Sequence, residues 1–97
     1  MPAPTTAHQK GEKMTVIFKA YGGPRCLQVA ELHIIAREKE KMERMMATFA
    51  KYMKMEVDSL QFQLDGHDIK DGETPASLIM LDKDVVEAFI MPIRAQQ

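Results

Sequence analysis

Apolar positions recur along the chain in two rhythms. From Met14 to Tyr21 the stretch MTVIFKAY sets Val16, Phe18 and Ala20 on one side and Thr15 and Lys19 on the other. A period of two in β-branched and aromatic residues predicts a strand. Gly22, Gly23 and Pro24 then allow the chain to reverse, because glycine tolerates positive φ and proline fixes its own. Residues 26–37 carry two readings. In the first, a second strand centres on 32–37, with Leu32, Ile34 and Ala36 inward and His33, Ile35 and Arg37 outward. In the second, the strand is 26–29 and a helix begins near Glu31, since AELHIIAREKEKMERM has good helix propensity. The first is preferred. Between Lys41 and Lys54 the rhythm changes to Met42, Met45, Met46, Phe49 and Met53, the i, i+3, i+4, i+7, i+11 spacing of one helical face.

The period of two returns in LQFQL, where Leu60, Phe62 and Leu64 oppose Gln61 and Gln63. Asp65-Gly66 signals a turn. Ile69 is then a single apolar anchor before a second turn at Asp71-Gly72. Thr74 is placed to cap and Pro75 suits a first helical position, so TPASLIM reads as one or two helical turns burying Leu78 and Met80. A last strand follows over 84–91, with Val86, Ala88 and Ile90 against Val85, Glu87 and Phe89, and Pro92 ends regular pairing. The sum is an α+β domain: one main helix on one face of a mixed sheet of four to five strands.

A chain of 97 residues supports one core of this kind. The domain is placed at 14–92, with 1–13 and 93–97 read as disordered tails, since both lack periodicity. The net charge of −1 conceals an asymmetry. Residues 1–55 carry ten Lys/Arg against five Asp/Glu, and residues 56–97 carry three against nine. One acidic and one basic side follow, which bears on partners more than on fold. Basic residues interleaved with Glu38, Glu40 and Glu43 do not make a nucleic-acid footprint. The single cysteine, Cys26, cannot form an internal disulfide and reads as a small buried side chain of an intracellular protein. His8, His33 and His67 have no metal-ligand spacing with Cys26, the methionines fit a core face, and nothing sets Cys26 beside a base. No apolar run is long enough to span a membrane. Neither catalysis nor a cofactor is expected. Phe89, sharing an outward face with Glu87, stands out as a candidate contact residue.

The order of elements, together with VDSLQFQLDGHDIKDGETPASLIMLDKDVVEAFI at 57–90, resembles the ubiquitin-like β-grasp and within it SUMO. The shared features are a third strand followed by Gly-x-x-Ile, then Thr-Pro-x-x-Leu-x-Met, then an acidic Asp-Val run. The likeness is looser at the first hairpin, where several extra residues lie between Tyr21 and Leu32. SUMO and ubiquitin conjugate through a C-terminal Gly-Gly; in ungapped continuation Arg94-Ala95 stand in its place, and no glycine follows Gly72. That combination resembles the SUMO-like domains within the RENi genome-maintenance proteins. The resemblance implies a nuclear interaction domain that docks non-covalently on a SUMO-conjugating enzyme, and a monomer is expected. The alternative is a modifier whose di-glycine lies outside this sequence.

The resemblance also implies where partners bind. The enzyme-docking positions of SUMO match Asp65, Gly66, His67 and Asp68, with Asp82 and Asp84. The groove in which SUMO accepts an extended hydrophobic peptide as an added strand matches Ile34, Ile35 and Arg37 on the second strand and Arg44 on the helix. Ile35 stands where SUMO has a lysine.

Overall fold

The computed structural model describes residues 13–91. Alternation in the first strand is realised as β1 (Lys13–Gly22), in which Val16, Phe18 and Ala20 are fully buried. It pairs antiparallel with β2 (Leu27–Arg37). Helix α1 (Met42–Met53) follows, then a 3-10 turn at Val57–Ser59, β3 (Leu60–Leu64), the two-residue β4 (His67–Asp68) and β5 (Asp84–Ile90). The strands form one sheet in the order β2-β1-β5-β3-β4, with β1 and β5 parallel at its centre. Parallel neighbours need a crossover, and α1 with β3 and β4 supplies it.

The helix lies on the apolar face because its own apolar stripe matches that face. Met42, Met45, Met46, Phe49 and Ala50 are buried against Val16, Phe18, Phe62, Val86 and Ala88. Three rings form the centre: Phe18 stacks on Phe49 at 5.3 Å and meets Phe62 edge-on at 5.9 Å. The helix starts without a side-chain cap. Instead the Met42 N–H donates to the Glu73 carbonyl at 2.8 Å, and the Ala76 N–H donates to the Glu38 carbonyl at 2.8 Å. The Glu73 carbonyl therefore serves an orphan N–H of α1, and the second bond ties the same loop to the segment that leads into the helix.

Residues 26–37 are strand, and the helical reading from Glu31 is excluded. Leu32, Ile34 and Ala36 face the helix, Ile35 and His33 face away, and β2 is extended back to Leu27. The surplus residues of the hairpin lengthen it: Ala20 opposes Ala30 while Tyr21 opposes Gln28, so Val29 is a bulge residue without an opposite number. Cys26 is exposed rather than buried. It ends the four-residue hairpin turn at φ 51°, its N–H donating to the Gly23 carbonyl, and residues 23–29 around it are all exposed.

Three further boundaries differ. Lys13 belongs to β1, opposite Arg37, and not to the tail; the rest of 1–12, together with 92–97 and Pro92, lies outside the described residues. The last strand stops at Ile90, one residue before Met91. The segment 74–80 forms a single hydrogen-bonded turn and no regular helix: Leu78 N–H bonds the Thr74 carbonyl, and Met80 N–H and Ile79 N–H close back on Pro75 and Ala76. Thr74 and Ser77 do cap each other reciprocally, at 2.9 and 3.0 Å. Met80 is buried and Leu78 partly so, as their alternation with exposed neighbours implies.

Candidate acidic docking surface

Antiparallel pairing fixes which loops meet. Gln63 opposes Glu87 and Leu60 opposes Ile90, so the turn leaving β3 and the turn entering β5 lie at the same end of the sheet. The first is Asp65-Gly66, with φ of 53° and 80°. Both residues are left-handed, as a two-residue hairpin turn demands, and Leu64 pairs with His67 across it. The second spans Leu81–Asp84, closed by the Asp84 N–H to the Leu81 carbonyl at 3.0 Å.

The acidic side chains at this end differ in what they hold. Asp65 is exposed at the turn. Asp82 Oδ1 accepts from the Thr15 N–H at 2.7 Å, and the Lys83 N–H donates to the Thr15 carbonyl, so this turn is stitched to β1. Asp84 Oδ2 accepts from the Leu81 N–H at 2.9 Å. Both carboxylates thus serve the backbone of the turn they belong to or adjoin. His67 sits 3.8 Å from Glu73, and Gly66 supplies only backbone. Asp68 lies on the open face and accepts from the Gln63 and Gln61 amides at 2.9 and 3.0 Å.

Those two amide donors, Gln63 first and Gln61 second, hold the Asp68 carboxyl below its ordinary value of 3.8. A depressed carboxyl stabilises the fold above its unfolded value; that contribution fades as pH falls below about 3.8 and is gone beneath the folded value. Gln63→Leu should raise the Asp68 midpoint back toward 3.8 when its side-chain carbon is followed by NMR across acid pH. An unmoved midpoint would refute the assigned cause.

The sequence concealed two apolar side chains beside these acids. Ile79 is 82% exposed and Leu81 69% exposed, flanking the buried Met80. Ile79 also has φ of 55°, a left-handed conformation that a β-branched residue rarely adopts. It occupies the position after a turn where glycine is usual. Ile79→Gly should therefore raise stability by about 1 kcal/mol; a fall in melting temperature would contradict the strain. Helical turns over TPASLIM do not single these two out; an alternation through Leu78 and Met80 is the signal that would have set Ile79 and Leu81 outward.

The four positions of the peptide groove are divided between the two faces of β2 and the surface of α1. Ile34 packs on the helix side, whereas Ile35 and Arg37 project from the open face of the sheet and are exposed. Arg44 bonds Glu40 at 3.3 Å on the helix surface. The reason is the strand period itself, which sends neighbours 34 and 35 to opposite faces. Phe89, singled out as an outward aromatic, stacks on Tyr21 at 5.7 Å across the parallel β1–β5 pair. A cleft of about 480 Å³ is lined by Met46, Ala47, Ile69 and Met91 and reaches Gln61 and Asp68. Among the described residues no group of three His, Cys, Asp or Glu is set to hold a metal ion, and no helix is long and apolar enough to cross a membrane.

A mixed five-stranded sheet with a parallel central pair, clasping one helix, defines a ubiquitin-fold domain. The solved structure of a ubiquitin from Caldiarchaeum subterraneum superposes with a TM-score of 0.72 over 84% of this chain and 96% of that one, at 17% identity, a likeness of fold alone. Residues 25–90 match the Rad60-SLD family model, described as ubiquitin-2 like Rad60 SUMO-like, and the chain belongs to that family. It is also 34% identical over 59 residues to a small ubiquitin-related modifier of Caenorhabditis elegans, a match that spans 61% of this chain and 65% of that relative's length.

Proposed function

We propose that this SUMO-like domain is a non-catalytic docking module of the nucleus, which binds a SUMO-conjugating enzyme non-covalently at the end of the sheet formed by residues 65–68 and 81–84. The observation that carries this reading is the convergence of the two acidic turns at one end of the β3–β5 pair. Leu81 within the second turn, and Ile79 just before it, offer apolar anchors beside the charge. Fixed carboxylates at Asp82 and Asp84 present negative potential without the entropy cost of ordering free side chains, and such a field speeds encounter with a basic partner.

Charge reversal tests the surface. Asp65→Lys combined with Asp68→Lys leaves both stitching aspartates untouched, and calorimetry with a SUMO-conjugating enzyme should show affinity weakened by about fivefold or more, with a shallower salt dependence. Unchanged affinity in a variant of unchanged melting temperature would overturn the assignment. A second reading, conjugation to targets, is favoured by the likeness to the small ubiquitin-related modifier of Caenorhabditis elegans and opposed by Arg94-Ala95 at the di-glycine position. Branched peptides carrying this chain's end on other proteins, found by mass spectrometry of cell extracts, would establish that reading in place of docking.

A further inference from the structure

The outer edge of β2 is the longest unpaired backbone edge among the described residues. Ten of its eleven residues pair with β1 on one side, Val29 being the bulge, and none pairs with a described strand on the other. Exposed edges are normally blunted by shortness, lysine or proline. This one, LQVAELHIIAR, contains neither lysine nor proline. It is interrupted by one bulge, and its Val29 and Ile35 are 55% and 61% exposed.

The strand's own sequence specifies what fits it. When a second copy is laid antiparallel with Leu32 on the twofold axis, Glu31 of each copy faces His33 of the other, and Ala30 faces Ile34. At both ends the exposed Ile35 comes beside Val29. Opposed residues in an antiparallel pair share a face, so Leu32 and Ile34 meet on the helix side while Glu31 and His33 meet on the open side, where they are already 2.8 Å apart within one copy. Moving the axis by one residue sets Glu31 against Glu31 or His33 against His33, and both alternatives lose the complementary pairs. We infer that β2 is a self-pairing edge that joins two copies of this domain into one continuous sheet, with both helices on the same side.

A single strand pair buries little surface, at the low end of the range for specific interfaces, so the dimer forms and dissociates with concentration. Sedimentation equilibrium under reducing conditions, which keep the exposed Cys26 from cross-linking, is the test. The weight-average mass should climb from 11.0 kDa toward twice that value as concentration rises. Ile35→Lys, which places a charge in each apolar flank, should raise the dissociation constant roughly tenfold. His33→Glu should weaken it similarly by setting acid against acid, and the double variant His33→Glu with Glu31→Arg should restore it. All three positions are exposed, so melting temperatures should hold and report that the variants fold. A mass fixed at 11.0 kDa at every concentration overturns the inference. So does association indifferent to Ile35→Lys, or a double variant that fails to recover.

Discussion

Phe49→Ala is expected to destabilise the domain by about 3–5 kcal/mol, the range for deleting a fully buried aromatic ring. Phe49 stacks on Phe18, meets Phe62 edge-on and touches Tyr52. It is also the residue through which the helix grips both β1 and β3. Its loss leaves a cavity between two layers that cannot collapse without tilting α1, and it removes aromatic contacts worth more than their area. Domains of this size are stable by only about 5–15 kcal/mol, so the variant should lose a large part of its total. Urea unfolding followed by circular dichroism would measure it. A midpoint shift equivalent to less than about 1 kcal/mol would mean that the ring is not the keystone of the helix–sheet contact.

The second large effect is expected at Asp82. Its carboxylate accepts the Thr15 N–H at 2.7 Å, and the neighbouring Lys83 N–H returns a bond to the Thr15 carbonyl. Asp82→Ala removes a charged acceptor from a backbone donor and unfastens the turn from β1 just where the central parallel pair begins, at Val16 opposite Asp84. The cost should be about 1–2 kcal/mol, reduced from the full value for a charge-assisted bond because the site is open to solvent. Amide exchange should quicken at Thr15 more than at the distant Tyr21. Uniform protection across β1 would show that the bond is ornamental. The same reasoning bears on docking experiments, since replacing Asp82 or Asp84 disturbs the turn as well as its charge, and Asp68 also gives up the Gln61 and Gln63 amides, whereas Asp65 reports on charge more cleanly.

Most of the architecture was legible along the chain because the helix and sheet faces are written in different periods. Met42, Met45, Met46 and Phe49 repeat as a helix and are buried as one stripe; Leu60, Phe62 and Leu64 alternate and are buried as one face. Asp65-Gly66 adopts the paired left-handed conformation that its composition indicates. The hairpin tip was less legible. Cys26 is apolar and small, and burial is its usual state, but its environment depends on how far the hairpin projects, and a bulge at Val29 leaves no signature in a single sequence. The segment 74–80 stopped short of a helix because Ile79 turns back at positive φ after one turn, a conformation that no propensity would assign to isoleucine.

The candidate site was legible in part. Antiparallel pairing of β3 with β5 brings residues 65–68 and 82–84 to one end of the sheet. The roles of Asp82 and Asp84 in holding backbone could not be read from charge alone, since their partners, Thr15 and Leu81, are chosen by tertiary contact in one case and turn geometry in the other. The peptide-groove positions divide between the two faces of β2 and the helix surface, because resemblance transfers a list of positions while the strand period decides which face each one takes.

The most direct measurement is an NMR titration of isotope-labelled domain with a SUMO-conjugating enzyme. Docking at the acidic end predicts that the largest amide shifts fall on Asp65, Gly66 and His67 and on Leu81–Asp84, fading as salt is raised. Shifts concentrated along β2 and α1 instead, or none at a large excess of enzyme, would contradict it.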